Sequence, residues 1–150
     1  MKTRGVIDLI ARIRDQAHTI IADELRSRGI DDVLPAHGRA LAALYEADGP
    51  VPIKAVTESA GRVKSTITVM IRTLEKNGYV TRMSCPDDKR SVLVSLTEKG
   101  RRLFPAFQEI SELLISTVYG EMPEEEREVL MNFLNHLDDN LNVYLSRTDR

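Results

Sequence analysis

The stretch that most limits what this chain can fold into runs from Val51 to Gly100, VPIKAVTESAGRVKSTITVMIRTLEKNGYVTRMSCPDDKRSVLVSLTEKG. Ile53, Val56 and Ala60 fall on one side of a short helix over Ile53–Ala60, and Gly61 ends it. The spacing then predicts a second helix from about Lys64 to Asn77. In it Ile67, Met70, Ile71 and Leu74 recur at the period of one buried face. Gly78, directly after Lys76 and Asn77, suits the left-handed residue that closes a helix. Two β-rich runs follow, Tyr79–Ser84 and Ser91–Leu96, joined by the polar loop Cys85–Arg90 with Pro86 and two adjacent aspartates. Helix, tight turn, helix and a hairpin with a protruding charged loop make a winged helix-turn-helix. Such an arrangement offers one helix to a DNA major groove and a loop to a neighbouring groove.

Charge is sorted along the chain in the same sense. The formal net charge is −2, but residues 50–103 hold eleven Lys/Arg against five Asp/Glu, a balance of +6. Residues 1–49 stand at −1 and residues 104–150 at −7. A basic field on the winged segment attracts phosphate, and an acidic far end orients the approach. With Ile67, Ile71 and Leu74 turned inward, the second helix presents Ser65, Thr68, Val69, Arg72 and Lys76, with Thr66 near its start. Small hydroxyls near a helix N-terminus bond phosphates or base edges at close approach, and Arg72 has the longest reach. Arg62, Lys64 and, on the loop, Lys89 and Arg90 complete the expected DNA-contacting set.

The flanking segments are helical. Ile7, Ile10, Ile13, Ala17, Ile20, Ile21 and Leu25 form an apolar stripe over residues 6–28, and Gly29 ends it. Pro35 is placed to open the next helix, which carries Leu41, Leu44 and Tyr45 and closes at Asp48, Gly49 and Pro50. Thr97 is an N-cap for a helix beginning at Glu98, in which Pro105 predicts a bend and Gly120 a stop. Pro123 with Glu124, Glu125 and Glu126 opens a last helix. There Leu130, Leu134, Leu137, Leu141 and Tyr144 alternate by four and three, a heptad seam that Val129, Phe133 and Leu145 widen. A seam of this kind suits a helical dimer interface. At 150 residues the chain has room for one domain with a real core.

Other classes find little support. No apolar run approaches the ~18 residues that span a bilayer. Asp8, Arg12 and Arg14 interrupt any signal core in MKTRGVIDLIARIR. A single cysteine, Cys85, forms no internal disulfide, so a reducing cytoplasm is expected, with the thiol incidental. His18, His37 and His136 show no metal-binding spacing, and no phosphate loop, nucleophile elbow or paired His/Glu motif occurs. No catalytic residue, metal or cofactor is expected. A winged helix used only for protein–protein contact, without its own DNA target, is the alternative to a DNA-binding regulator.

KSTITVMIRTLEKNGYVTR followed by DDKRSVLVSLTEKG, with Asp88, Lys89 and Arg90 spaced before Leu96, Thr97 and Gly100, resembles the MarR family of bacterial transcriptional regulators. The likeness runs over nearly the whole chain. It implies one mainly α domain over 1–150 with a small antiparallel β-hairpin: a winged helix-turn-helix at about 34–100, between dimerisation helices at about 5–28 and 98–147. It also implies a homodimer built on Ile7, Ile10, Ile13 and the C-terminal seam, with recognition helices in successive major grooves of a palindromic operator. Lys64–Arg72 becomes the recognition helix and Cys85–Arg90 the wing tip, with Asp88 bracing Arg90 toward DNA. A repressor released by a small-molecule effector follows, with a pocket between the helical dimer region and the winged helix, lined by His18, His37 or Tyr45. Relatives often carry serine where Val63 stands, an aliphatic residue where Arg62 stands and arginine where Val69 stands, so the operator sequence does not carry over.

Overall fold

The computed structural model describes residues 3–148; Met1, Lys2, Asp149 and Arg150 lie outside the described residues. The element order is α1 (Val6–Ser27), a 3-10 turn (Pro35–His37), α2 (Gly38–Glu46), β1 (Val51–Pro52), α3 (Ile53–Ala60), α4 (Lys64–Lys76), β2 (Val80–Ser84), β3 (Val92–Leu96), α5 (Glu98–Arg102), α6 (Phe104–Tyr119) and α7 (Glu124–Thr148). Two compact units divide between Leu114 and Ile115.

In the first unit the periodic residues become the core. Ile67, Ile71 and Leu74 of α4 are fully buried, as are Leu41 of α2, Val56 of α3 and the strand residues Val80 and Val94. Met70, expected on the same face, is only half-buried at its margin. Helix α3 ends as its sequence requires, at Gly61 with φ +62°, a conformation that a β-carbon disfavours. Gly78 closes α4 in the same way, with φ +85°; Asn77, expected as the last helical residue, is its cap.

The expected hairpin is present, with Val80 opposite Leu96 and Ser84 opposite Val92, but it is part of a three-stranded antiparallel sheet in the order β1-β3-β2. The extra strand is only Val51–Pro52, whose Val51 pairs with Val94. Pro52 is tolerated because β1 is an edge strand. Two helix boundaries also differ. Pro35 opens a 3-10 turn that ends at His37, and the α-helix proper begins at Gly38. At Pro105, the site of the expected bend, α5 and α6 are separated at Leu103, since proline has no N–H to continue the ladder, although Leu103 itself keeps helical dihedrals.

In the second unit α7 runs from Glu124 to Thr148 behind Pro123, and none of its residues is buried. Leu130, Leu134, Leu137, Leu141 and Tyr144 are all exposed, with Val129, Phe133 and Leu145 beside them. In the first unit the start of α1 is likewise bare at Ile7, Ile10 and Ile13. Among the described residues no helix is long and apolar enough to cross a membrane.

Candidate nucleic-acid interface

The turn between α3 and α4 is set by Gly61. Beyond it the Arg62 N–H reaches the Thr57 carbonyl at 3.4 Å, and Val63 takes an extended conformation, φ −70° and ψ 148°, before α4 begins. Arg62, Val63, Lys64, Ser65 and Thr66 are all exposed at this end. Opposite the buried Ile67, Ile71 and Leu74, a spacing of four, three and four residues puts Ser65, Val69, Arg72 and Lys76 on one outward stripe, and all four are exposed. Thr68 lies at the edge of the stripe, half-buried, and its hydroxyl donates to the Lys64 carbonyl at 2.9 Å. Thr73 likewise donates to the Val69 carbonyl at 3.1 Å.

The loop between β2 and β3 is closed by its own backbone. The Cys85 N–H donates to the Ser91 carbonyl and the Ser91 N–H to the Asp88 carbonyl, each at 3.0 Å. Asp88 then holds Arg90 twice. Its Oδ1 accepts the Arg90 backbone N–H at 3.0 Å and lies 3.5 Å from the guanidinium Nε. The Arg90 side chain nevertheless remains 95% exposed, so the pair fixes the residue's backbone while leaving the cation open to solvent. Lys89 is exposed next to it, and Cys85 is half-buried at the loop's base.

Behind α4 lies a frame that carries no motif in the sequence. Glu75 accepts the Arg82 backbone N–H at 3.0 Å through Oε2 and its Nε at 3.1 Å through Oε1, tying α4 to β2. The hydrogen bond from the Arg82 side chain holds the Glu75 carboxyl below its usual range, against a smaller opposing effect of burial. At the C-terminal end of α4, Asp32 accepts from the Tyr79 hydroxyl at 2.5 Å and from Lys99 Nζ at 2.9 Å, while its carbonyl accepts from Asn77 Nδ2 at 3.0 Å. Lys99 also donates to the Asn77 carbonyl at 2.7 Å and stands 4.4 Å from the centre of the Tyr79 ring. Burial works to raise the Asp32 carboxyl, but the hydrogen bonds from Tyr79 and Lys99 outweigh it and leave it below the ordinary aspartate range. Thr97 caps α5 by accepting from the Gly100 N–H at 3.1 Å, and the same hydroxyl donates to the Gly78 carbonyl.

Within the first unit an apolar cavity of about 80 Å³ is lined by Ile21, Leu25, Val33, Leu41, Phe107 and Ile110, among others. His18, His37 and Tyr45 are not in its lining; His37 lines an open groove against α4 with Ser65 and Val69, and Tyr45 another with Phe104 and Phe107. His37 is buried because its Nδ1 accepts the Leu34 N–H at 3.1 Å, and burial lowers its pKa. Tyr45 donates to the Gly100 carbonyl at 2.7 Å and packs on Phe104 and Phe107; burial raises its hydroxyl to about 12. Among the described residues no group of three or more His, Cys, Asp or Glu is placed to hold a metal ion.

Comparison with known proteins converges on one group. The MarR family model matches residues 35–92, from the turn before α2 to the first residue of β3. The chain is 30% identical over 95 residues to the HTH-type transcriptional regulator SarZ of Staphylococcus haemolyticus, a match that covers 63% of each chain. The chain thus spans less than two thirds of that relative's length. Among solved structures it is similar to Bordetella bronchiseptica BpsR, described for the regulation of its DNA binding by 6-hydroxynicotinic acid. The TM-score is 0.77 and the identity 22%, over 91% of this chain and 95% of that one. It is also similar to an Escherichia coli MarR mutant complexed with operator DNA, with a TM-score of 0.76 and 20% identity over 91% and 95% of the two chains. At these identities the two structures speak for the fold.

Proposed function

We propose that the chain, whose residues 35–92 match the MarR family model, is a sequence-specific regulator of transcription that binds double-stranded DNA as a homodimer. The observation that carries the reading is the open, basic surface made by α4 and the loop after β2. Arg62, Lys64, Ser65, Thr66, Thr68, Val69 and Arg72 serve as the helix-side contacts, and Lys89 and Arg90 as the wing contacts. Asp88 holds the Arg90 backbone and pairs with its Nε while the guanidinium stays exposed to solvent, the condition under which an arginine enters a narrow, electronegative minor groove. The Escherichia coli MarR complex with operator DNA supports the same use of this fold.

The regulatory sense we propose is repression relieved by a small-molecule effector. The BpsR relative, whose DNA binding is described as regulated by 6-hydroxynicotinic acid, supports it, as does the apolar cavity beside α1 and α2. At about 80 Å³ that cavity lies well below the ~300–1,000 Å³ of typical ligand sites, so an effector must open it and thereby strain the unit that carries α4.

The test is a footprint and a salt titration on the DNA flanking the protein's own coding region. Phosphate neutralisation requires affinity to fall steeply with salt. Arg90→Ala is expected to weaken operator binding by roughly 1–3 kcal/mol with folding unchanged. Equal affinity for wild type and Arg90→Ala would remove the wing from the mechanism. The absence of any specific footprint would leave the protein–protein module in its place.

A further inference from the structure

We propose that Val69 is the base-reading residue of α4 and that it selects a thymine through the 5-methyl group; this rests on the DNA-binding reading above. Val69 occupies the middle of the outward stripe, one turn after Ser65 and one turn before Arg72, and is 62% exposed. Helix formation gives no reason for it, since β-branched residues are among the weaker helix formers and this one packs against no core. An exposed apolar side chain at the centre of a polar stripe is what an apolar partner would require.

The neighbouring hydroxyls narrow the choice further. The Thr68 hydroxyl donates within the helix to Lys64 and that of Thr73 to Val69, so neither has its proton free for a base edge. Ser65 and Arg72 flank Val69 along the stripe, where a short hydroxyl and a long cation serve the phosphates or the adjoining pairs. In the major groove the four bases differ in donors and acceptors, and thymine alone among them carries an apolar group, the C5-methyl. Valine can neither donate nor accept, so against guanine, cytosine or adenine it desolvates a polar edge without compensation. Against thymine it removes two apolar surfaces from water.

The experiment uses the full chain and a random-sequence duplex pool. Rounds of selection give the preferred half-site, and each thymine in it is then replaced singly by deoxyuridine, which lacks only the methyl. One position is expected at which that replacement weakens binding about fourfold, the effect of burying one methyl-sized group. Val69→Ala should weaken binding to the thymine duplex and abolish the thymine–uracil difference at that position alone. Lys64→Ala should weaken both duplexes equally. Circular dichroism melting should show Val69→Ala at least as stable as wild type, because the side chain is outside the core and alanine is the better helix former. A selected half-site whose deoxyuridine variants all bind equally would overturn the assignment while leaving the DNA-binding reading intact. So would a thymine–uracil difference that persists in Val69→Ala. Failure of the pool to converge on any sequence would overturn both.

Discussion

At the scale of single residues the start of α4 lacks something that the start of α5 has. Thr97 sits before α5 with its hydroxyl accepting the Gly100 N–H, so one of the four amides left open by a helix N-terminus has a partner. Val63 holds the same kind of extended conformation before α4, and no side chain accepts from the first-turn amides there. Val63→Ser should therefore stabilise the protein by about 0.5–2 kcal/mol, read as a higher midpoint in urea denaturation. A midpoint that stays level or falls would mean that the valine makes a compensating contact in the folded state. Thr97 also shows how far a cap can be read in advance. The hydroxyl and its position are visible in the sequence, but the reason its partner must be Gly100 is not. A β-carbon built there would lie 2.2 Å from the Tyr79 carbonyl oxygen, so the backbones of α5 and the residue before β2 meet only because the side chain is absent.

At the scale of elements, Asp32 ties the connection after α1 to three others: the end of α4 through Asn77, the residue before β2 through Tyr79, and α5 through Lys99. Its depressed carboxyl fixes the sign of a pH effect. A group whose pKa is lower in the folded state contributes stability that is full above its ordinary value, 3.8, and is lost as pH falls through the folded value. Asp32→Asn should thus destabilise the protein at neutral pH, and the gap to wild type should close as the pH of a denaturation series drops from about 7 to about 2. A gap that stays constant across the series would show that the contribution does not depend on the charge. None of this network was legible in the sequence, because Asp32 and Lys99 are 67 positions apart and obey no period. The helices were legible because their signal is local: Ile67, Ile71 and Leu74 declare a buried face by spacing alone. Strand β1 was hidden for the opposite reason. Two residues between Pro50 and Ile53 show no alternation, and Val51 becomes a strand only because Val94 is there to pair with it. Of the interface, the outward stripe and the wing loop could be placed from periodicity. The occupied hydroxyls of Thr68 and Thr73 and the bracing of the Arg90 backbone follow no sequence period and arise only in the folded chain.

At the scale of the whole molecule the unresolved matter is apolar surface without a cover. Helix α7 exposes Leu130, Leu134, Leu137, Leu141 and Tyr144 along a single seam, with Phe133 67% exposed beside it. Three isoleucines at the start of α1 are bare as well. Fully burying a leucine or isoleucine is favourable by about 1.5–3 kcal/mol, so so many left in water argue for a second copy of the chain. A two-fold axis would also answer the problem of selectivity, since one winged helix touches too little DNA to discriminate among many genomic sites. Two copies would set their α4 helices about one DNA turn apart, roughly 34 Å, on an inverted repeat. Leu137→Glu places a carboxylate in the middle of the seam, and symmetry places it there twice. The variant should run in light scattering at the mass of one chain, 16.9 kDa, and lose specific binding in a gel shift. The outward stripe of α4 would be chemically unchanged, since Leu137 belongs to the other compact unit. A Leu137→Glu protein that stays dimeric with undiminished affinity would place the interface elsewhere. A wild-type monomer tightly bound to a non-palindromic site would remove the two-fold axis from the mechanism.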